Sequence, residues 1–355
     1  MNPSLPFGRL RTPPLDPRSL LSAAERIRPH IVETPLLPSP LLSERTGAVV
    51  FLKLENRQTT GSFKLRGATN KLLGLSSGER GVVTASTGNH GLAVAHAASK
   101  LGIAATIFMP EDASPRKVAK LRNFDVELCF VPGDAVNAET TARRTADETG
   151  RVFVSPYNDP EIVAGQGTVA VEMLRQQPGL DAVFVAVGGG GLIGGIGSYL
   201  NEEHGLARIE TDSHGFSTAR PGVQVIGCLP RNSAVMLESV RAGRIVEMEG
   251  LPTLSDGTAG GIEPDAITFD ICRRVVDEWL TVNEGEIAAA MRLIYRESGE
   301  VIEGAAGVAV AALLQSGQRF AGQTVAVVIC GGNIDEARFD AILAPVERCP
   351  ELVEG

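Results

Sequence analysis

Short apolar segments alternate with amphipathic helical patterns along most of this chain, and no other feature of the sequence limits its fold as strongly. The apolar segments predict eight β-strands, at residues 49–54, 81–84, 104–109, 126–131, 152–154, 183–187, 223–228 and 324–329. Segments of this kind form strands buried on both faces, as in parallel sheets covered by helices. Because crossovers between parallel strands are right-handed, we predict an α/β fold of open, doubly wound sheets.

The composition excludes several classes of protein. A length of 355 residues is typical of two domains. A hydrophobic content of 43% and a net charge of −9 argue against a disordered chain and against a nucleic-acid-binding protein. Residues 182–201 carry no charge, but seven glycines among them leave too little apolar side chain, so we predict no membrane segment. The start of the sequence lacks an apolar run of signal-peptide length.

The cysteines and histidines are scattered. The five cysteines include no Cys-x-x-Cys pair, and the five histidines include no His-x-x-x-His pair. These spacings argue against a disulfide framework and against a metal cluster. We therefore expect no bound metal ion and a location in the reducing cytoplasm.

A predicted strand, four consecutive glycines and a helix start follow one another at residues 183–197. Glycines let backbone N–H groups converge, and the helix N-terminus adds partial positive charge, so Gly188 to Gly191 form a candidate phosphate cradle. The spacing Gly189-x-Gly191-x-x-Gly194 also fits the dinucleotide fingerprint, but no carboxylate ends the next strand. A cofactor with one phosphate and no ribose fits better, and a nicotinamide-dependent oxidoreductase is the alternative.

Lys64 stands between an aromatic and an apolar residue, in the segment Ser62-Phe63-Lys64-Leu65. Most lysines lie on the surface, but burial would lower the pKa of this amine and make it a nucleophile. Together with a cradle for a single phosphate, Lys64 suggests a Schiff base to pyridoxal phosphate.

Two further segments place polar groups where a strand ends. Ser86, Thr87, Asn89 and His90 lie between a strand and a helix, where hydroxyl, amide and free N–H groups can hold a carboxylate. Ordinary helix capping would need only one of them. Cys330 ends the last strand, where it is either a small core residue or a neighbour of a ligand.

Four ordered segments together resemble the pyridoxal-phosphate serine/threonine dehydratase family, which includes serine racemase. They are Ser62-Phe-Lys64-x-Arg66-Gly-Ala, Ser86-Thr-Gly-Asn89-His90-Gly, Gly188-Gly-Gly-Gly191-Leu and Cys330-Gly-Gly-Asn333. Thr34-Pro-Leu, Lys53-Leu-Glu55-Asn and Gly165-Gln-Gly-Thr168 extend the likeness over residues 15–340. Residues 229–236 and 252–261 most resemble a branch named hydroxyectoine-utilisation dehydratases.

The resemblance implies a tryptophan-synthase-β-like architecture, pyridoxal-phosphate fold type II, with the cofactor in a cleft between two domains. The large domain would comprise residues 1–71 and 156–345, the small domain residues 72–155, and residues 346–355 would be a tail. It also implies a homodimer. Metal-dependent relatives carry carboxylates at two positions that are Leu229 and Val235 here, so we expect no divalent cation site.

The resemblance also implies a role for each site residue. Lys64 would carry the cofactor beside Phe63, and Asn89 would meet its 3′-oxygen. Cys330 would face the ring nitrogen. The phosphate would be held by Gly188, Gly189, Gly190, Gly191 and Leu192, and the substrate carboxylate by Ser86, Thr87, Asn89 and His90.

The activity implied is that of an ammonia-lyase, or dehydratase, which converts a β-hydroxy amino acid into a 2-oxo acid and ammonia. Threonine, serine, 3-hydroxyaspartate, a phenylserine and a hydroxyectoine-derived compound all present the β-hydroxyl group. An amino-acid racemase on the same scaffold is the alternative, although Thr87 replaces the serine that handles a proton in serine racemase. A sensor that binds amino acids without catalysis is a further possibility.

Overall fold

Two mainly parallel sheets, each accompanied by helices, make up the part of the chain that the computed structural model describes, residues 12–205, 209–211, 217–219 and 222–344. The expected tail, residues 346–355, and the first eleven residues lie outside it. The strands are β1 (Leu36–Pro38), β2 (Val49–Leu54), β3 (Val82–Ala85), β4 (Ala105–Pro110), β5 (Glu127–Val131), β6 (Val152–Phe153), β7 (Ala182–Ala186), β8 (Ile209–Thr211), β9 (Ser217–Ala219), β10 (Gln224–Pro230), β11 (Glu278–Val282) and β12 (Thr324–Ile329). The helices are α1 (Pro17–Ile27), α2 (Pro40–Thr46), α3 (Lys64–Leu73), α4 (Asn89–Leu101), α5 (Pro115–Leu121), α6 (Ala135–Thr149), α7 (Pro160–Gln176), α8 (Gly191–Gly205), α9 (Val235–Ala242), α10 (Ile267–Val275), α11 (Glu284–Ser298), α12 (Gly304–Gln315) and α13 (Glu336–Leu343).

The larger sheet has six strands in the order β1-β2-β12-β7-β10-β11. All its pairings are parallel except that of β1 with β2. The smaller sheet, β5-β4-β3-β6, is entirely parallel. The predicted α/β fold is confirmed, and each of the eight predicted strands occurs with its ends shifted by two residues or fewer.

Strand order explains where a ligand site can form. In a parallel sheet, all carboxyl ends lie at one edge, and loops from neighbouring strands meet there. The loops after β7 and β12 leave that edge of the larger sheet, and the loop after β3 leaves that edge of the smaller sheet. These loops contain Gly188 to Gly190, Cys330 and Ser86 to Gly88, and the first and last of these segments continue into α8 and α4.

Helix α12 covers the larger sheet and is buried along nearly its whole length. Its sequence GAAGVAVAALLQ is apolar on every side, which is typical of a helix enclosed in a core. It contacts β7, β10, β11 and β12, so the residue before it, Glu303, is carried into the interior.

Helix α3 lies between the cores of the two sheets. Leu65, Ala68 and Leu72 of α3 belong to the apolar cluster beneath the smaller sheet. Helix α3 also contacts α4 and α7 extensively. The domain boundary expected after residue 71 therefore falls inside a helix, and it stays a prediction.

Candidate active site

One cavity of about 470 Å³ brings together every site residue that the sequence predicted. It lies at the facing carboxyl edges of the two sheets. The predicted residues that line it are Phe63, Lys64, Ser86, Thr87, Asn89, His90, Gly188, Gly189, Gly190, Gly191, Leu192 and Cys330. Segments more than 260 residues apart in sequence, such as those of Lys64 and Cys330, thus meet at one place.

The glycine run turns from β7 into α8 with no room for side chains. A Cβ at Gly188 would lie 2.9 Å from the Thr258 Cα, and one at Gly189 would overlap the Tyr157 ring. Gly190 has a φ of +86°, a conformation that favours glycine. Within the described residues, the amides of Gly188 to Gly190 have no intramolecular acceptor. The run therefore offers N–H groups at a helix N-terminus to an anion.

Lys64 begins α3 and points into the cavity. Its Nζ donates a hydrogen bond of 2.8 Å to the carbonyl oxygen of Pro156 and lies 5.1 Å from the Phe63 ring centroid. Burial lowers the pKa of Lys64 from 10.5 to about 8, although Cys330 and Glu303 partly oppose this shift. Because a neutral amine is the nucleophilic form, Lys64 is available for covalent chemistry near neutral pH.

A buried cluster of charges fixes the start of α3. Arg66 donates to both carboxylate oxygens of Glu55, at 2.8 Å each, and to both of Glu172, at 2.7 Å each. Lys53 Nζ donates to Glu172 at 2.6 Å. Although burial opposes the charge, the two carboxylates raise the pKa of Arg66. Arg66, two residues after Lys64, ties α3 to the turn after β2 and to α7, and so orients the lysine.

The segment Ser86 to His90 forms the turn from β3 into α4. Ser86 Oγ accepts a hydrogen bond of 3.2 Å from the amide of Gly88. His90 Nε2 lies 2.9 Å from the carbonyl oxygen of Val154, so Nε2 carries the hydrogen. Burial, and then the charge of Lys64, lower the pKa of His90 to about 3. The imidazole is therefore neutral, and its buried Nδ1 has no partner among the described residues.

Glu303 is the principal site residue that sequence reasoning missed. Its carboxylate accepts hydrogen bonds of 3.0 and 2.9 Å from Asn89 Nδ2. Burial raises the pKa of Glu303 to about 7. The only signal in the sequence was an acidic residue directly before the wholly apolar α12.

Cys330 directly follows β12 and carries a buried thiol. Burial raises the pKa of Cys330 well above its usual value, with Glu303 adding to the effect, so the group is a neutral thiol. Its Sγ lies 4.0 Å from Glu303 Oε1. A neutral thiol contributes no negative charge to a ligand beside it.

Other residues complete the lining. Tyr157 packs against the glycine run. Its hydroxyl group is uncharged, because burial raises the pKa of that group far above the usual value. The loop at residues 256–259 closes one side, and Lys117 and Lys120 of α5 reach the rim. The two lysines are not among the site residues that the sequence predicted.

A model of the family described as "Pyridoxal-phosphate dependent enzyme" matches residues 27–331. The chain belongs to this family. The expected pyridoxal phosphate is therefore confirmed, and the nicotinamide alternative is wrong.

Individual members of the pyridoxal-phosphate-dependent family resemble the chain over most of its length. L-threonine ammonia-lyase of Thermotoga maritima is 42% identical over 326 residues, which cover 91% of this chain and 77% of that protein. β-Hydroxyaspartate dehydratase of Paracoccus denitrificans is 36% identical and covers 89% of this chain and 95% of that protein. The solved structure of maize serine racemase has a TM-score of 0.82 and 28% identity, covering 92% and 96% of the two chains.

The cavity of this family member fits its cofactor. The glycine run provides unpartnered amides for one phosphate, and the partly buried Lys64 provides an amine with a lowered pKa. No Lys or Arg other than Lys64, Lys117 and Lys120 lines the cavity within the described residues, so the phosphate would depend on backbone groups.

The described residues offer neither a cluster of metal ligands nor a membrane-spanning helix. Leu229 and Val235, at the positions where metal-dependent relatives carry carboxylates, are buried apolar side chains. Among residues 12–205 and 222–344, no group of three or more metal-binding side chains occurs. In the same part of the chain, no helix is both long and apolar enough to span a bilayer.

Proposed function

We propose that this pyridoxal-phosphate-dependent enzyme is an ammonia-lyase that converts a β-hydroxy amino acid into a 2-oxo acid and ammonia. The observation that carries the proposal is the meeting of Lys64, the glycine run and the segment Ser86 to His90 in one cavity. Relatives named L-threonine ammonia-lyase and β-hydroxyaspartate dehydratase support it. Both names describe substrates with a hydroxyl group on Cβ.

The proposed role of each residue follows from its chemistry. Gly188 to Leu192 would hold the phosphate through backbone N–H groups, and Lys64 would hold the cofactor carbonyl carbon. Bound there, pyridoxal phosphate supplies an electron sink that makes the Cα–H bond of an amino acid acidic. Cys330, a neutral thiol, would face the ring nitrogen without stabilising a positive charge on it.

Lys64 is the candidate general base. Its pKa of about 8 means that part of the amine is neutral near pH 7 and can accept a proton from Cα. Ser86, Thr87 and the free amides at the start of α4 would hold the substrate carboxylate. Fixing that carboxylate orients the Cα–H bond toward Lys64, and this ordering is a large part of the rate enhancement. The β-hydroxyl group would then take up a proton and leave as water, which completes the elimination. Hydrolysis of the released enamine by water would give the 2-oxo acid and ammonia.

Ammonia release by the purified holoenzyme tests the proposal. L-threonine, L-serine and L-threo-3-hydroxyaspartate should each be offered, with the 2-oxo acid measured alongside ammonia. We expect equal amounts of ammonia and 2-oxo acid from at least one substrate, and none from Lys64→Ala. Lys100→Ala, which removes an exposed lysine on α4, is the matched control and should retain activity. Absence of ammonia from all three substrates contradicts the proposal.

A racemase is a second candidate because maize serine racemase is a structural neighbour with a TM-score of 0.82. A racemase needs a proton donor on the face of the substrate opposite the lysine. Thr87, which lines the cavity, is the hydroxyl available in the corresponding turn. Chiral analysis of the unreacted substrate distinguishes racemisation from elimination. If the D-enantiomer accumulates faster than ammonia is released, racemisation is the main reaction.

Three further expectations belong to this proposal. We infer a homodimer from the family resemblance, and sedimentation analysis tests it. A cytoplasmic location agrees with the four free cysteines of the described residues, Cys129, Cys228, Cys272 and Cys330. The two sheets would be the cores of the two expected domains, and limited proteolysis near residues 72 and 155 tests that division.

A further inference from the structure

Two lysines of α5 stand at the rim of the active-site cavity. Lys117 and Lys120 are three residues apart, so they lie on the same side of the helix, and both line the cavity that contains Lys64. The adjacent side of α5 buries Val118 and Leu121 in the core. The helix is thus anchored by its apolar residues while its two ammonium groups remain exposed next to the site.

Neither lysine has an acidic partner among the described residues. Lys120 Nζ reaches only Asn333 Oδ1, at 3.4 Å, and Lys117 takes part in no ion pair there. Their neighbour Arg116 differs, because it pairs with Asp335 at 2.7 Å and Glu336 at 2.8 Å. Two unpaired positive charges at one cavity are notable in a chain whose net charge is −9.

The acidic groups of the cavity are already engaged. Asp256 lies 3.3 Å from Arg338 Nη1. The carboxylate of Glu303 accepts hydrogen bonds from Asn89. The acidic side chains that line the described part of the cavity therefore leave the two lysines free for an anionic group of a ligand.

Hydrogen bonds connect this rim to the segment proposed to hold the substrate. Asn333 accepts from Lys120 and donates from Nδ2 to Asn89 Oδ1 at 2.8 Å. Asn89 begins α4 at the turn where the α-carboxylate of the substrate would sit. A second anionic group on the same small molecule would therefore approach α5.

We propose that Lys117 and Lys120 bind the second carboxylate of a dicarboxylic β-hydroxy amino acid, of which 3-hydroxyaspartate is the smallest example. This inference rests on the proposed function and narrows its substrate class. The methyl group of threonine or the hydrogen of serine at the same position leaves both ammonium groups without a partner. Ion pairs at exposed sites contribute modestly to the binding free energy. We therefore expect the preference for the dicarboxylic substrate to be measurable but not absolute.

Binding of two unreactive ligands tests the inference without relying on turnover. L-Aspartate has the second carboxylate but no β-hydroxyl group, and L-2-aminobutyrate is threonine without its hydroxyl group. Both are titrated into the holoenzyme, and dissociation constants are read from the visible absorbance of the bound cofactor. The ratio of the two dissociation constants is the readout. We expect the wild type to bind L-aspartate more tightly.

The variants are Lys117→Gln, Lys120→Gln and the double variant. We expect each single change to shift the ratio against L-aspartate by about threefold and the double change by about tenfold. Arg122→Gln is the matched control, because it removes an exposed positive charge just after α5 that does not line the cavity. It should leave the ratio unchanged. Equal ratios in the wild type and the double variant overturn the inference, as does an equal shift in Arg122→Gln.

Turnover provides a second, separable measurement. The ratio of kcat/KM for L-threo-3-hydroxyaspartate to kcat/KM for L-threonine should fall about tenfold in the double variant. If ammonia is released but neither ratio moves, the inference fails and the proposed function stands. If the binding ratio moves while no substrate releases ammonia, the carboxylate site stands and the proposed function fails.

Discussion

Asn89 Nδ2 donates to both carboxylate oxygens of Glu303, at 3.0 and 2.9 Å. The other end of the amide is also occupied, because Asn89 Oδ1 accepts from Asn333 Nδ2 at 2.8 Å. Asn89 is thus held from both sides. The resemblance implies that Asn89 contacts the cofactor 3′-oxygen. Asn89 Nδ2 would then donate both to that oxygen and to Glu303. Glu303 therefore acts as a positioning residue for Asn89.

Replacing Glu303 by Gln should change how stability depends on pH. Burial raises the pKa of Glu303 from 4.5 to about 7 in the folded protein, whereas the unfolded chain retains the ordinary value. The folded state therefore binds the proton more tightly than the unfolded chain does. The resulting contribution to the free energy of unfolding is present at low pH and is lost as pH rises from about 4.5 to 7. The difference corresponds to about 3 kcal/mol of unfolding free energy.

Urea unfolding of the apoenzyme at pH 5 and pH 7.5 measures this effect. We expect the wild type to lose more stability between these pH values than Glu303→Gln does. Glu44→Gln, at an exposed position of α2, is the control and should behave as the wild type. Parallel losses in the wild type and Glu303→Gln would show that Glu303 ionises as it does in water.

Cofactor uptake should depend on the ionisation of Lys64. Because burial lowers the pKa of this amine to about 8, the neutral fraction rises tenfold per pH unit below pH 8 and levels off above it. The rate at which apoenzyme gains visible absorbance on mixing with pyridoxal phosphate should follow the same curve. Lys64→Ala should not develop the absorbance at any pH. A plateau reached only near pH 10 would mean that the amine is not desolvated.

The strands and the ligand loops could be predicted from the sequence because each depends on local pattern. Buried parallel strands leave apolar runs, and the glycine run stands at the end of one of them. The edge strand β11 leaves no such run, because it contains Glu278 and Trp279, both half-buried, and it was missed. The buried α12 lacks the periodicity that marks an amphipathic helix, so the alternating pattern does not reveal it.

Three contributors to the site could not be predicted because they are single side chains brought in by the tertiary fold. Glu303 enters the cavity only because α12 packs against the larger sheet. Lys117 and Lys120 reach it because α5 packs against α4, the helix that follows the turn after β3. In the sequence, all three resemble ordinary charged surface residues.

Arg66→Met should be among the most destabilising single changes in the chain. It would leave Glu55 and Glu172 buried without their bidentate partner, and removing one member of a buried ion pair costs about 3–5 kcal/mol. Arg66→Lys should restore only part of the loss, because one ammonium group cannot serve two carboxylates in the same geometry. Chemical denaturation of the apoenzyme measures both. Arg122→Met, at an exposed position, should change stability little. Equal stability of Arg66→Met and the wild type would refute an anchoring role for Arg66.

Gly189→Ala should weaken cofactor binding without unfolding the protein. The added Cβ would overlap the ring of Tyr157, so the glycine run must shift and its N–H groups lose their alignment toward a phosphate. Loss of one or two hydrogen bonds to a charged group should raise the dissociation constant of pyridoxal phosphate about tenfold or more. Equilibrium dialysis measures this constant. Gly179→Ala is the matched control, because a Cβ at Gly179 has nothing within 4 Å. Shortening the obstructing side chain in Gly189→Ala/Tyr157→Ala should recover part of the affinity. Unaltered affinity in Gly189→Ala would mean that the phosphate does not rest on this turn.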